Sequence, residues 1–325
     1  MQERCMDSYS TTFNSYPAML GYHQELTRDS RWVQCPINEL KVEPLDRGSE
    51  AHFRHDWFAE GTSALAIEDT VDNLGLSMRI NEELFPVRAT AWKGLLDRAK
   101  INGTALPKLP RNELAGVLNA CLHLFQSEAL LLIRDEKVSA VHSGDQVDYS
   151  ILPIDELLEG LQENLDKRFP GNEFECGYSD HAIVGASWRL PKQKEDLLDV
   201  YAKMLKAHGK DKQAEKLVPG IQFISSDTGV ASAKVSALLM GGDNPIHIGS
   251  CVAVDHRHQN TVADFELKLD ELFAQFGDNI KKLQKLLEIP LRYPVNAMTR
   301  ICKQLVLPKK AADEAIARFE MTYGD

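Results

Sequence analysis

Apolar positions along this chain recur at two periods, every second residue and every third or fourth, and the switches between them mark its elements. The clearest two-residue period runs through 230–239. Ala231, Ala233, Val235, Ala237 and Leu239 fall on one face, and Ser232, Lys234 and Ser236 on the other. Ser226-Asp227-Thr228-Gly229 before it and Gly241-Gly242-Asp243-Asn244-Pro245 after it are turn chemistry. The next run puts Ile246, Ile248, Val252 and Val254 on a common face, so residues 221–258 are expected to be three strands at the centre of a sheet. Upstream, LLLIR at 130–134 and VSAVHS at 138–143 flank a short turn at Asp135-Glu136-Lys137, a hairpin signal. Residues 174–178 and 182–190 read as paired strands. In the second, Ala182, Val184, Ala186, Trp188 and Leu190 alternate with Ile183, Gly185, Ser187 and Arg189. Shorter strands are expected within 33–42 and 78–84.

The longer period predicts helices. One covers 91–99, with Gly103 as its candidate cap. A second opens at Asn112 and carries Leu114, Val117, Leu118, Cys121, Leu122 and Phe125, and a third follows Pro153 with Leu157, Leu158, Leu161 and Leu165. Residues 194–207 are also expected to be helical. The longest stripe begins at Thr261: Val262, Phe265, Leu269, Leu272, Phe276, Ile280, Leu283 and Leu287, about seven turns. Gly277-Asp278 is a candidate break, and Pro290 and Pro294 end the helix. Two more helices are expected at 295–305 and from Pro308 to Tyr323. The first thirty residues hold no steady period and are expected to form a mobile or peripherally docked arm. The fold predicted is α+β: a mixed or mainly antiparallel sheet with flanking helices and a helical carboxy-terminal third. Its parts would be an amino-terminal arm and peripheral segment at 1–75, an α+β core at 76–260 and a helical region at 261–325.

With 325 residues, 43% hydrophobic and 26% charged, the chain can bury a large core. Its net charge of -11 makes it a poor general binder of nucleic acid, so such binding would need a local basic patch. Six scattered cysteines without a C-x-x-C pair argue against a zinc ribbon or a dithiol redox motif, and suit a reducing compartment. The opening MQERCMDSYS lacks an apolar signal core, and no run approaches the roughly 20 residues of a membrane helix. A cytoplasmic protein with no membrane partner is expected.

Motifs for phosphate-loop, dinucleotide-binding, zinc-protease and serine-hydrolase chemistry are missing, and no catalytic residue, metal or cofactor is predicted. LLDRAKINGTALPKL has the outline of a helix-turn-helix, but Pro107 and Pro110 fall inside the supposed recognition helix. Three weaker constellations remain. His52, His55 and Asp56 in HFRHD, with His247, His256 and His258 around DHRH, offer metal-ligand types without helical spacing. Asp29 with Glu39 and Lys41 loosely matches a metal-dependent nuclease pattern. The third is basic: Lys281, Lys282, Lys285, Arg292, Arg300, Lys303, Lys309 and Lys310 face only Glu288, a local +7 over 279–310. A smaller basic stretch, 189–216, carries eight basic and five acidic residues.

Three stretches together resemble a family of phage and plasmid proteins known as domain of unknown function nine-thirty-two. They are LSMRINEELFPVRATAWKGLLDRAKI, LPRNELAGVLNACL with LLLIRDEKVSAVHS, and FISSDTGVASAKVSALLM with GSCVAVDHRH before a long helix. The resemblance spans about residues 75 to 290 and implies the setting of a mobile genetic element, with no catalytic residue to carry over. The function expected is that of a non-catalytic DNA-transaction protein. It would bind single-stranded DNA through 281–310, with Trp188 as a stacking platform and Arg189 beside it, and would self-associate. The alternatives are a protein-binding module working through the 265–287 stripe, and the nuclease of Asp29, Glu39 and Lys41.

Overall fold

A computed structural model describes residues 2–193, 216–241, 245–249, 251–287 and 292–323, with 198, 202, 203, 206, 209 and 290 singly. Side chains at a few further positions, Ile280, Lys281, Lys282 and Leu283 among them, are outside this set. The predicted helix at 194–207 falls almost wholly outside the described residues. Contacts divide the chain into two units, Met1–Gly277 and Asp278–Asp325.

The first unit is α+β, and every ladder between its strands is antiparallel. One seven-stranded sheet runs in the order β1 (Ser10–Phe13), β8 (Glu173–Asp180), β9 (Val184–Arg189), β10 (Val218–Ser225), β11 (Ala233–Met240) and β12 (Ile246–His247), with β13 (Val252–Val254) also on β11. A three-stranded sheet joins β2 (Arg31–Pro36) to the hairpin β6 (Glu128–Arg134) and β7 (Lys137–Ser143). Another comprises β3 (Lys41–Pro44), β4 (Leu76–Ile80) and β5 (Glu83–Pro86).

Helices α4 (Trp92–Ala99) and α5 (Arg111–Leu122) close over the two small sheets. Leu95, Leu114, Leu118 and Leu122 there pack with Met78, Val87, Leu131 and Val141. Two shorter helices, α2 (Glu50–Phe53) and α3 (Ala64–Asp72), supply Ala51 and Ile67 to a satellite core with Leu45, Phe58 and Leu84. On the large sheet, α1 (Tyr16–Asp29) packs with α6 (Ile154–Arg168). The long helix α7 (Val262–Leu287) buries Phe265, Leu269, Leu272, Phe273 and Phe276. Phe265 meets Phe223 of β10, and Phe273 and Phe276 meet Phe169.

The expected fold class is present, and several local expectations change. The amino-terminal residues are not an arm. β1 extends the large sheet, β2 the small one, and Met19 of α1 is fully buried. Charge pins the segment before them: the buried Lys137 ammonium holds Asp7 at 3.0 Å and Asp69 at 2.5 Å, and buried Arg88 donates to the Met6 carbonyl. A buried cation needs such partners, so the residues that supply them are ordered with it. Lys100, not Gly103, takes the left-handed position that ends α4 (φ 54°). Residues 230–232 belong to the turn before β11 rather than to the strand, and the run 246–254 makes two short strands instead of one. α7 continues through Gly277-Asp278 without a break, because the apolar packing on its first half outweighs the roughly 1 kcal/mol a helical glycine costs.

In the second unit α8 (Pro294–Gln304) packs on α9 (Lys309–Tyr323) across a tight reversal. Leu307 N–H bonds the Cys302 carbonyl and Val306 N–H the Lys303 carbonyl, with Val306 in the left-handed region (φ 52°).

Candidate functional site

The predicted nucleic-acid residues are divided between the two units. Trp188 is fully buried: its ring meets Phe174 and Tyr16, and its indole N–H donates to Gln162 Oε1 at 2.8 Å. No base can stack there, because the ring lies on the apolar face of β9 with Val184 and Ala186. Arg189 is half-exposed and paired with Glu175 at 3.1 Å. In the second unit and the end of α7, Lys285, Arg292, Arg300, Lys303, Lys309 and Lys310 are all exposed, and none forms an ion pair with a described residue. The side chains of Lys281 and Lys282 lie outside the described residues. Tyr293, which the sequence reading passed over, is 73% exposed beside Arg292.

Other expectations separate. Glu39 and Lys41 line one cavity with Arg79, whereas Asp29 lines another with Arg31 and Glu60 and is bonded by Arg28. His52 is held by Glu68 at 2.6 Å, and Asp56 by Arg54. His247 and His258 are exposed while His256 is buried. Among the described residues no three histidine, cysteine or acidic side chains are placed to share a metal ion. The alternative protein-binding stripe is core from Phe265 to Phe276, so that part of it offers no docking face.

The largest cavity described, about 540 Å³, lies wholly in the first unit, where segments far apart in sequence converge. One wall is α4, with Lys93, Asp97 and Arg98, and Lys100 just past its end. α4 can lie this close to β7 because Gly94 has no side chain: a Cβ there would collide with the Val141 carbonyl. The floor is the end of β7 and the chain after it, with His142 and Tyr149. The opposite walls are the β10–β11 turn, Thr228 to Ser232, and the Asp255-His256-Arg257 loop.

Asp227 ties these pieces together. Its backbone carbonyl accepts from Tyr149 Oη at 2.8 Å and from His142 Nε2 at 2.9 Å, and its carboxylate meets the Arg134 guanidinium at 2.6 Å. The next turn residue, Gly229, has φ +75°, and a Cβ there would press on His142 Cε1. The Tyr149 ring stacks with two imidazoles, its centroid 3.5 Å from that of His142 and 5.6 Å from that of His256.

A carbonyl can only accept, so the tautomers follow from geometry. His142 carries its hydrogen on Nε2. His256, whose Nδ1 lies 3.2 Å from the Ser150 carbonyl, carries it on Nδ1 and keeps a lone pair on Nε2. Both rings are neutral at pH 7. Burial pushes His142 down to about 4 against the pull of the Asp227 carbonyl, with the charge of Arg98 helping to lower it, and burial also lowers His256. His256 Nε2 and Arg98 Nε are both buried without a hydrogen-bond partner. The sequence signal for this site was the same SDTG turn and DHRH loop that mark the sheet. What the reading missed was that Arg98, His142 and Tyr149 would be brought to them.

No protein-family model, no characterised protein and no solved structure matches the chain.

Proposed function

We propose that the chain is a non-catalytic protein that binds single-stranded nucleic acid through the basic stretch at 279–310. One observation carries the reading: six cations there are exposed and unpaired with any described residue. Charge is divided in the same sense. Residues 278–325 hold nine basic and six acidic groups, net +3, and residues 1–277 hold 28 and 42, net -14. Lysine and arginine left unpaired in a chain so acidic overall are suited to phosphate, whose counterions they displace. Exposed Tyr293 beside Arg292 takes the stacking role first given to Trp188.

The test is fluorescence anisotropy of a labelled oligothymidylate. The parent chain should bind at low salt, and replacing Arg300, Lys303, Lys309 and Lys310 together with Glu should weaken binding at least about tenfold. A parent that does not bind would overturn the reading. A second reading has its own observation. Ile301, Leu305, Val306 and Leu307, around the α8–α9 reversal, are exposed apolar side chains suited to a protein partner. Under that reading the charge-reversed variant keeps its partner, whereas Leu305→Ser with Val306→Ser loses it.

A further inference from the structure

We propose that the cleft among α4, β7, the β10–β11 turn and the 255–257 loop binds a small phosphate-bearing ligand that also carries a hydrogen-bond donor, the chemistry of a nucleotide. The proposal does not rest on the carboxy-terminal reading, since every residue it uses belongs to the first unit.

Two unsatisfied groups specify the ligand's polarity. Arg98 is a half-buried guanidinium with no ion pair to a described residue, and its Nε–H is shut away from solvent without an acceptor. It calls for an anion. His256 is only 5% exposed, and its Nε2 lone pair is buried without a donor. It calls for a hydroxyl or amino group. A buried polar atom left unpaired is costly and uncommon, and both of these belong to residues that line one cleft.

Charge favours phosphate over a single carboxylate. Lys93 and Arg98 on α4 and Lys100 just past its end line the same cavity as Arg257, four cations in a unit whose net charge is -14. Three carboxylates also line it. Two are engaged by neighbours: Asp255 accepts from Ser232 Oγ at 2.5 Å and Asp148 from Ser143 Oγ at 3.2 Å. Asp97 is exposed, as Lys93 and Lys100 are, so the lining holds four cations against three carboxylates, net +1. A volume of about 540 Å³ exceeds what one phosphate fills and falls within the ordinary range of small-molecule sites. Tyr149, stacked on His142 and His256 and bonded to the Asp227 carbonyl, is held in place on the floor, so little ordering entropy is lost on binding.

The phosphate can belong to a free nucleotide or to the end of a nucleic-acid strand, and the probes separate these. Thermal shift and isothermal titration calorimetry would be run on the full chain with AMP, adenosine, inorganic phosphate and a 5′-phosphorylated oligonucleotide. AMP should raise the melting temperature and bind at least about tenfold more tightly than adenosine, since a charge-assisted contact is lost in the nucleoside. Arg98→Leu should abolish that preference. His256→Phe should weaken AMP and leave inorganic phosphate unchanged. If Arg98→Leu fails to fold, Lys93→Ser with Lys100→Ser, at exposed positions, should show the same loss. Oligonucleotide binding that Arg98→Leu removes, with no response to AMP, would assign the site to a strand end. Absence of binding by both, or binding that survives Arg98→Leu and the double lysine variant undiminished, would overturn the proposal.

Discussion

His23 is buried and His142 and His181 are largely buried, and the fold holds each neutral and far below the usual imidazole range. Burial comes first in every case, taking His23 and His142 to about 4 and His181 to about 3. In the unfolded chain these rings take a proton near pH 6.5. Between there and about pH 4 the unfolded state therefore binds more protons, and stability must fall as pH falls. Each histidine should cost about 1–2 kcal/mol by pH 5. Chemical denaturation at pH 7 and pH 5 measures the sum, and equal midpoints would mean that the histidines are not buried as described. At this scale the sequence was partly legible. The alternation that placed Trp188 with Val184 and Ala186 already implied its burial, and the stacking role contradicted that pattern. The convergence of Arg98, His142 and His256 on one cleft was not legible, because they come together only when α4, β7 and the 255–257 loop pack.

Among the elements, strands and helices with a clean period fall where the pattern put them, and the departures come from turns and tertiary contacts. Asn81-Glu82 and Asp135-Glu136 both have positive φ, so two-residue turns close these hairpins without glycine. The shorter turn leaves Lys137 in β7, buried on Asp7 and Asp69. The α7 stripe gave its helix plainly but not what covers it. Phe276 is 1% exposed and lies edge-on to Phe169. Phe276→Asp would place an unpaired carboxylate in that packing and should cost at least about 4 kcal/mol. Circular dichroism during urea unfolding reads the loss. Retention of full stability would mean that the stripe near Phe276 is a free surface after all.

Across the whole molecule, an acidic α+β unit and a basic helical unit share one chain, with the boundary inside α7. Net charge alone argued against nucleic acid, and only its local distribution argues for it. The most direct test of the central claim is the salt dependence of oligothymidylate binding, measured on the parent and on the variant with Glu at 300, 303, 309 and 310. Each phosphate contact with a single strand contributes about 0.7 to the slope of log affinity against log salt. The parent should give a steep negative slope, and the variant should be shallower by about 3 if all four residues touch phosphate. Equal slopes for the two proteins would contradict the assignment of these residues to the backbone of a bound strand.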